Sequence, residues 1–202
     1  MTHRATRVLH GLLQIPILFE MQQRIFNDYR NVYTEFEDLL GRSGVSIIDI
    51  GCSTGACAAS IVPMTSNRYV GLDIEPRYVA LAARRAPDGR FVAMDARRMA
   101  FPDASFDLAM FIGVMHHMDD QLVKDCLSEV SRVLRPEGRV IVAEPVYTPG
   151  RWLSTVLLNM DRGRYIRDEP GYRKLFGGFS IQRQRYFRLS LHRFCSFVLS
   201  RQ

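Results

Sequence analysis

The sequence predicts an α/β fold: a mostly parallel sheet with helices on both faces, closed by an antiparallel hairpin. Three observations carry that prediction. Apolar, β-branched runs alternate with segments of helical periodicity from residue 45 to residue 143, the pattern of strand–helix–strand units with right-handed crossovers. The run Ile47-Ile48-Asp49-Ile50-Gly51-Cys52-Ser53-Thr54-Gly55 ends on a Gly-x-x-x-Gly turn and opens into small residues. A buried strand handing over to a helix reads this way, with backbone amides left to meet a ligand. Finally, Ser180–Ser190 and His192–Leu199 are extended runs with almost no connection, and so short a link permits only antiparallel pairing.

The elements follow in order. Leu18, Met21, Ile25, Phe26, Tyr29, Val32, Tyr33, Phe36, Leu39 and Leu40 fall at three- and four-residue steps. One amphipathic helix is expected across residues 8–40, with Pro16 near its start or at a kink, ended by Gly41-Arg42-Ser43-Gly44. Val45–Ile50 is the first strand, and Thr54–Ile61 a short helix stopped before Pro63. Arg68–Asp73 is the second strand, Pro76–Ala86 a helix with proline in its first turn, and Arg90–Met94 the third strand. Asp107–Ile112 is the fourth, followed by a helix from its N-cap Asp119 to Leu134. Pro136-Glu137-Gly138 reads as a turn into a fifth strand, Arg139–Ala143.

A chain of 202 residues, 47% hydrophobic and 24% charged, suits one soluble domain. No apolar run reaches the roughly 18 residues of a membrane span. Arg4 and Arg7 before Val8–Phe19 resemble a signal peptide, but Gln14 and Pro16 interrupt the run and no small-residue cleavage site follows, so mature protein is expected. Cys52, Cys57, Cys126 and Cys195 have neither metal-ligand nor disulfide spacing, which points to a reducing cytoplasm. Residues 151–202 hold 11 Arg/Lys against 3 Asp/Glu, within a chain whose net charge is +6. Such a segment is either a solvated surface or a face toward an anionic substrate, a lipid surface or a nucleic acid.

The strand ends carry the chemistry. Asp73 closes the second strand, where a carboxylate can accept from both hydroxyls of a ribose. Asp95 closes the third and can accept from an adenine amine, with the Ala96 amide donating to a ring nitrogen. Phe111 and Ile112 end the fourth and can offer carbonyls to a cationic amine. Ligand charge separates the cofactors. Asp49 and Asp73 around one loop repel a pyrophosphate and suit an ammonium or sulfonium, and the turn departs from the G-x-G-x-x-G fingerprint. A nicotinamide oxidoreductase is disfavoured on both counts.

At these residues the chain resembles the class I S-adenosylmethionine-dependent methyltransferases, in particular the small bacterial "type 11" group. Asp49-Ile50-Gly51-Cys52-Ser53-Thr54-Gly55 looks like their first motif, and Asp73 matches the acid after the second strand. Met94-Asp95-Ala96, Phe101-Pro102-Asp103-Ala104-Ser105-Phe106-Asp107, Val114-Met115-His116-His117-Met118 and Val133-Leu134-Arg135-Pro136-Glu137-Gly138-Arg139 resemble later motifs in the same order. The resemblance covers residues 45–145 and implies a Rossmann-like seven-stranded sheet of order 3-2-1-4-5-7-6. It implies one methyltransferase domain over 1–202: a helical lid or extension (1–44), a cofactor-binding core (45–145), a substrate-side insertion (146–179) and the hairpin (180–202). The family usually has glycine where Ser53 stands, so a positive φ there carries strain.

The resemblance further implies S-adenosyl-L-methionine as methyl donor and S-adenosyl-L-homocysteine as product. It places Asp49, Gly51, Cys52, Ser53, Thr54 and Gly55 at the methionine end. Asp73 and Ile74 then fall at the ribose side, Asp95 and Ala96 at adenine, and Phe111 and Ile112 at the strand end. His116 and His117 follow the fourth strand near where the methyl emerges, and a histidine there can take a hydroxyl proton; ordering the loop is the plainer role. Trp152, Arg162, Arg164, Tyr165 and Arg167 are candidates for an aromatic, cationic acceptor pocket. No metal-ligand constellation occurs. The expected reaction is methylation, O-methylation first, of a small-molecule or lipid- or carbohydrate-linked acceptor that can be anionic. Two alternatives stand beside it: an RNA methyltransferase using the basic segment, disfavoured by the lack of a target-recognition domain, and a non-catalytic cofactor-binding protein. Peripheral membrane contact stays open.

Overall fold

The computed structural model describes residues 29–147, 164–189 and 192–202. Their elements are α1 (Arg30–Leu40), β1 (Ser46–Ile50), α2 (Ala56–Ile61), β2 (Arg68–Asp73), α3 (Pro76–Arg85), β3 (Arg90–Ala93), β4 (Phe106–Ile112), a 3-10 turn (Met115–His117), α4 (Asp120–Val133), β5 (Leu134–Val146), α5 (Glu169–Arg173), β6 (Phe179–Leu189) and β7 (His192–Arg201). The seven strands form one sheet in the order β3-β2-β1-β4-β5-β7-β6. β1 to β5 pair in parallel, and β7 runs antiparallel to both β5 and β6. This is the predicted topology.

Burial on both faces explains why the central strands are continuous apolar runs. All five residues of β1 are buried, and on one face of the sheet Ile48, Ile50 and Phe111 meet Val123, Leu127 and Val130 of α4. On the other, Ile47, Met110 and Ile141 meet Val32, Phe36 and Leu40 of α1. Caps are where the sequence put them: Asp119 accepts from the Leu122 amide at 2.8 Å, and Pro76 sits in the first turn of α3 behind Glu75.

Two expectations change. The turn expected at Pro136–Gly138 lies inside β5, which runs for 13 residues. Its register against β4 jumps from Phe106↔Leu134 to Leu108↔Arg139, so the Pro-Glu-Gly stretch is a bulge in a strand rather than a break before one. The helix expected over 8–40 is described only from Arg30, and Phe36 interrupts it with φ −122° and ψ 20°. That part of α1 lies across the hairpin: Arg183 reaches both Asp38 oxygens at 2.9 Å, and Ser196 Oγ donates to Glu35 Oε1 at 2.9 Å. The rest of the segment expected as a helical lid or extension lies outside the described residues.

Candidate functional site

The loop after β1 is built from left-handed residues. Gly51, Ser53 and Gly55 have φ of 73°, 50° and 71°, and across the sheet Gly113 has 64°. A Cβ on Gly51 would stand 2.3 Å from Val114 Cγ2, so the β1 and β4 loops approach as closely as backbone allows. The loop is pinned from two sides. Arg85 of α3 donates to the Thr54 carbonyl and hydroxyl at 2.7 and 2.8 Å, and the Ser53 amide donates to Asp73 Oδ2 at 2.9 Å.

Ser53 is the residue this loop does not explain. Its φ is positive although it is not glycine, and its buried Oγ has no hydrogen-bond partner among the described residues. An L-residue in this region bears roughly 1–2 kcal/mol of steric cost. Ser53→Gly is therefore expected to stabilise the ligand-free protein by about 0.5–1 kcal/mol, the relief less the extra chain entropy of glycine. Chemical denaturation measures it, and an unchanged or lower midpoint would show the serine to be unstrained.

Three carboxylates stand at the ends of β1, β2 and β3. Asp49 is buried and accepts from the Tyr69 hydroxyl at 2.7 Å. Burial, against that bond and with Asp73 adding repulsion, pushes its pKa up to about 7. Asp73 accepts the Ser53 amide on one oxygen and the Glu75 amide on the other, both at 2.9 Å, which leaves each oxygen a further lone pair. Burial raises its pKa too. Ile74 beside it is 75% exposed, a bare apolar side chain at the mouth of the site. Asp95 is at the end of β3 as expected, but both its oxygens are engaged by Arg97, which holds its pKa low. An open cleft of about 470 Å³ adjoins this pair, lined also by Arg98, Asp125, Ser128 and Glu129. Cys52 is buried, and burial pushes its thiol well above the usual range, so it is packing rather than a nucleophile. Phe111 is fully buried in the core, while Ile112 and Ala96 are partly exposed.

The β4 loop contains what the sequence reading missed. Glu144, fully buried near the end of β5, accepts on Oε1 from the amides of Val114 and Met115 at 2.8 and 2.7 Å. Its Oε2 takes the His116 amide at 3.3 Å and faces His116 Nδ1 at 2.8 Å. A carboxylate only accepts, so Nδ1 carries the hydrogen of that pair; in the neutral form of the ring the lone pair is then on Nε2. His116 is 3% exposed, whereas His117 is exposed, its ring centroid 4.0 Å from that of His116. The signal for Glu144 was present: it is the only charge in the run Val140-Ile141-Val142-Ala143-Glu144-Pro145-Val146.

The acceptor-pocket candidates divide. Trp152 and Arg162 lie outside the described residues. Arg164 and Tyr165 are exposed, and the Tyr165 amide donates to the His116 carbonyl at 3.0 Å. Arg167 does something other than expected. Its five N–H donors go to the carbonyls of Met115, Tyr165 and Met118 and twice to Asp120 Oδ1. It is a pin that ties this segment to the His116 turn, with no donor left over for a substrate anion.

Residues 47–138 match the model of a methyltransferase domain family. The demethylmenaquinone methyltransferase of Beutenbergia cavernae is 36% identical over 129 residues, covering 59% of this chain and 52% of that protein. The O-methyltransferase cnsE of Penicillium expansum is 34% identical over 109 residues, covering 51% and 39%. Among solved structures, the PH0226 protein of Pyrococcus horikoshii OT3 superposes with a TM-score of 0.71 at 18% identity, covering 91% of this chain and 92% of that one. Residues 47–138 are thus a methyltransferase domain of the S-adenosylmethionine-dependent kind. The chain spans about half or less of the length of the two curated relatives.

The residues of this methyltransferase domain fit that cofactor. The buried Ser53 hydroxyl, without a hydrogen-bond partner among the described residues, is a polar atom in the loop that a ligand can satisfy. Asp49 and Asp73, two acids raised by burial, favour a cationic amino acid and a diol over a pyrophosphate. Among the described residues no helix is long and apolar enough to cross a membrane, and no three His, Cys, Asp or Glu are grouped to hold a metal.

Proposed function

We propose that this chain transfers a methyl group from S-adenosylmethionine to a hydroxyl of a small-molecule acceptor, with His116 as general base. The observation that carries the reading is the buried Glu144–His116 pair. The cofactor supplies an electrophilic methyl on a sulfonium, already a good leaving group. The chain has to align an acceptor and remove one proton. Asp49 holds the amino-acid end and Asp73 the ribose hydroxyls. The His116 Nε2 lone pair takes the acceptor proton, and Glu144, bonded at Nδ1, holds the ring's orientation and offsets the charge that forms. His117, exposed beside it, belongs to the rim. The two relatives, one named as an O-methyltransferase, favour a small molecule over RNA. A quinone-like, lipid-linked or carbohydrate-linked acceptor and a reducing, cytoplasmic setting belong to the same proposal, the latter supported by four free thiols.

The test begins with thermal stability. S-adenosylhomocysteine is expected to raise the midpoint and NAD to leave it unchanged. Asp73→Ala should weaken S-adenosylhomocysteine by about 1–3 kcal/mol, the loss of hydrogen bonds to a charged acceptor. Isotopically labelled S-adenosylmethionine in a cell extract should then place label on a hydroxyl oxygen of a small molecule. Label on a carbon, or no labelled product with cofactor binding intact, would sink the His116 role.

A further inference from the structure

The described residues carry a second cationic feature that neither cofactor binding nor the His116 pair uses. Arg193 of β7 lies directly opposite Arg188 of β6, and both are exposed. Like charges in register across an antiparallel pair oppose the pairing. Among the described residues neither guanidinium has an ion-pair partner. Glu169, which accepts from the Tyr186 hydroxyl, is committed to Arg173. Arginines on an edge strand guard against aggregation, which accounts for Arg185 and Arg188 on β6. It does not account for Arg193, because β7 is an interior strand between β5 and β6. Arg193 is also stacked: its guanidinium carbon lies 3.8 Å from the centroid of the Tyr186 ring.

The register fixes where the pair sits. Glu144, Cys195 and Tyr186 form one cross-strand row through β5, β7 and β6. Val146, Arg193 and Arg188 form the row two residues on, on the same face and toward the carboxyl ends of the parallel strands. Ligands bind at those ends. Glu144 is the residue that holds His116, so the arginine pair stands one row up and one to two strands across, about 10 Å at ~4.8 Å per strand.

We propose that Arg188 and Arg193 form an oxyanion subsite that takes a phosphate or carboxylate of the methyl acceptor, at a point of the acceptor remote from the atom to be methylated. The proposal rests on the methyl-transfer reading above. It replaces Arg167, whose donors are used up internally, as the anion-recognising arginine. The acceptor is then an elongated molecule with a hydroxyl at one end and an oxyanion at the other.

Inorganic pyrophosphate and glutarate are the probes, titrated into the full chain at low salt by calorimetry. Wild type is expected to bind at least one of them. Arg188→Gln with Arg193→Gln should weaken that binding by about tenfold or more, and Arg188→Gln alone, which leaves the Tyr186 stack intact, by about threefold. Arg185→Gln, an exposed arginine on the opposite face of β6, should leave it unchanged. Pyrophosphate alone responding assigns a phosphate, glutarate alone a carboxylate. No binding of either by wild type, undiminished binding in the Arg188→Gln variants, or equal loss in Arg185→Gln overturns the subsite. S-adenosylhomocysteine, titrated into the same samples, is a separate readout. Its absence with anion binding intact counts against the methyl-transfer reading and not against the pair.

Discussion

Glu144→Gln is expected to fold, to reverse the hydrogen on the His116 ring, and to lose about 10²–10⁴-fold in methyl-transfer rate, the range a general base contributes. A glutamine has one carbonyl oxygen where glutamate has two. Oxygen in the Oε1 place keeps the bonds from the Val114 and Met115 amides, at 2.8 and 2.7 Å. The amide nitrogen then replaces Oε2 and points a hydrogen at His116 Nδ1, 2.8 Å away. Two hydrogens cannot share that line, so Nδ1 becomes the acceptor and the hydrogen moves to Nε2. The nitrogen meant to take the acceptor proton is then already protonated. Nitrogen NMR of the His116 ring reads the tautomer directly, and cofactor affinity should hold within a few-fold. Glu144→Ala differs in kind. It strands three buried amides and the histidine, and breaking a buried pair costs about 3–5 kcal/mol. A Gln variant with the wild-type tautomer and full rate would leave Glu144 as a loop fastener only.

The division between what the sequence shows and what it hides follows from the range of each interaction. The succession of strands and helices, the closing hairpin and the cofactor loop are written in local pattern: period, glycine placement and a carboxylate at each strand end; the order of the strands in the sheet is what the family resemblance implies. Even the strain at Ser53 was legible, because a serine in a glycine's place raises the question of φ, and φ is 50°. The Pro136–Gly138 stretch was misread since local turn chemistry is indifferent to whether β4 continues to pair around a bulge. The roles of Glu144 and Arg167 are hidden for another reason. They are set by partners about 30 and 50 residues away, namely the Val114–His116 turn and the carbonyls around it. Arg167 reads as a surface cation in sequence and becomes a five-donor clasp only when the 3-10 turn is brought beneath it. A lone glutamate in an apolar strand was the one clue that a long-range partner must exist, because a buried carboxylate without donors is untenable.

Asp49 should make cofactor affinity depend on pH with a definite sign. Burial pushes its pKa up to about 7 in the ligand-free protein, against about 3.9 in an unfolded chain. Between those values the native state holds a proton that the unfolded chain has released, so stability falls as pH rises through this window. The slope is at most about 1.4 kcal/mol per pH unit, and the loss levels off above pH 7. A ligand ammonium reverses the balance, because it favours the ionised carboxyl. S-adenosylhomocysteine affinity is therefore expected to rise by up to about tenfold per pH unit from about pH 5 toward 7 and then flatten, with proton release below the pKa. Calorimetry in buffers of different ionisation enthalpy counts that proton. Asp49→Asn should bind more weakly and with no pH dependence over the same range, while keeping a polar partner for the Tyr69 hydroxyl. The ligand's ammonium stays protonated throughout this range, so the slope belongs to the protein. An affinity flat in wild type would mean that the buried carboxyl at the end of β1 never faces the cation, and the preference for a sulfonium amino acid over a pyrophosphate would lose its electrostatic basis.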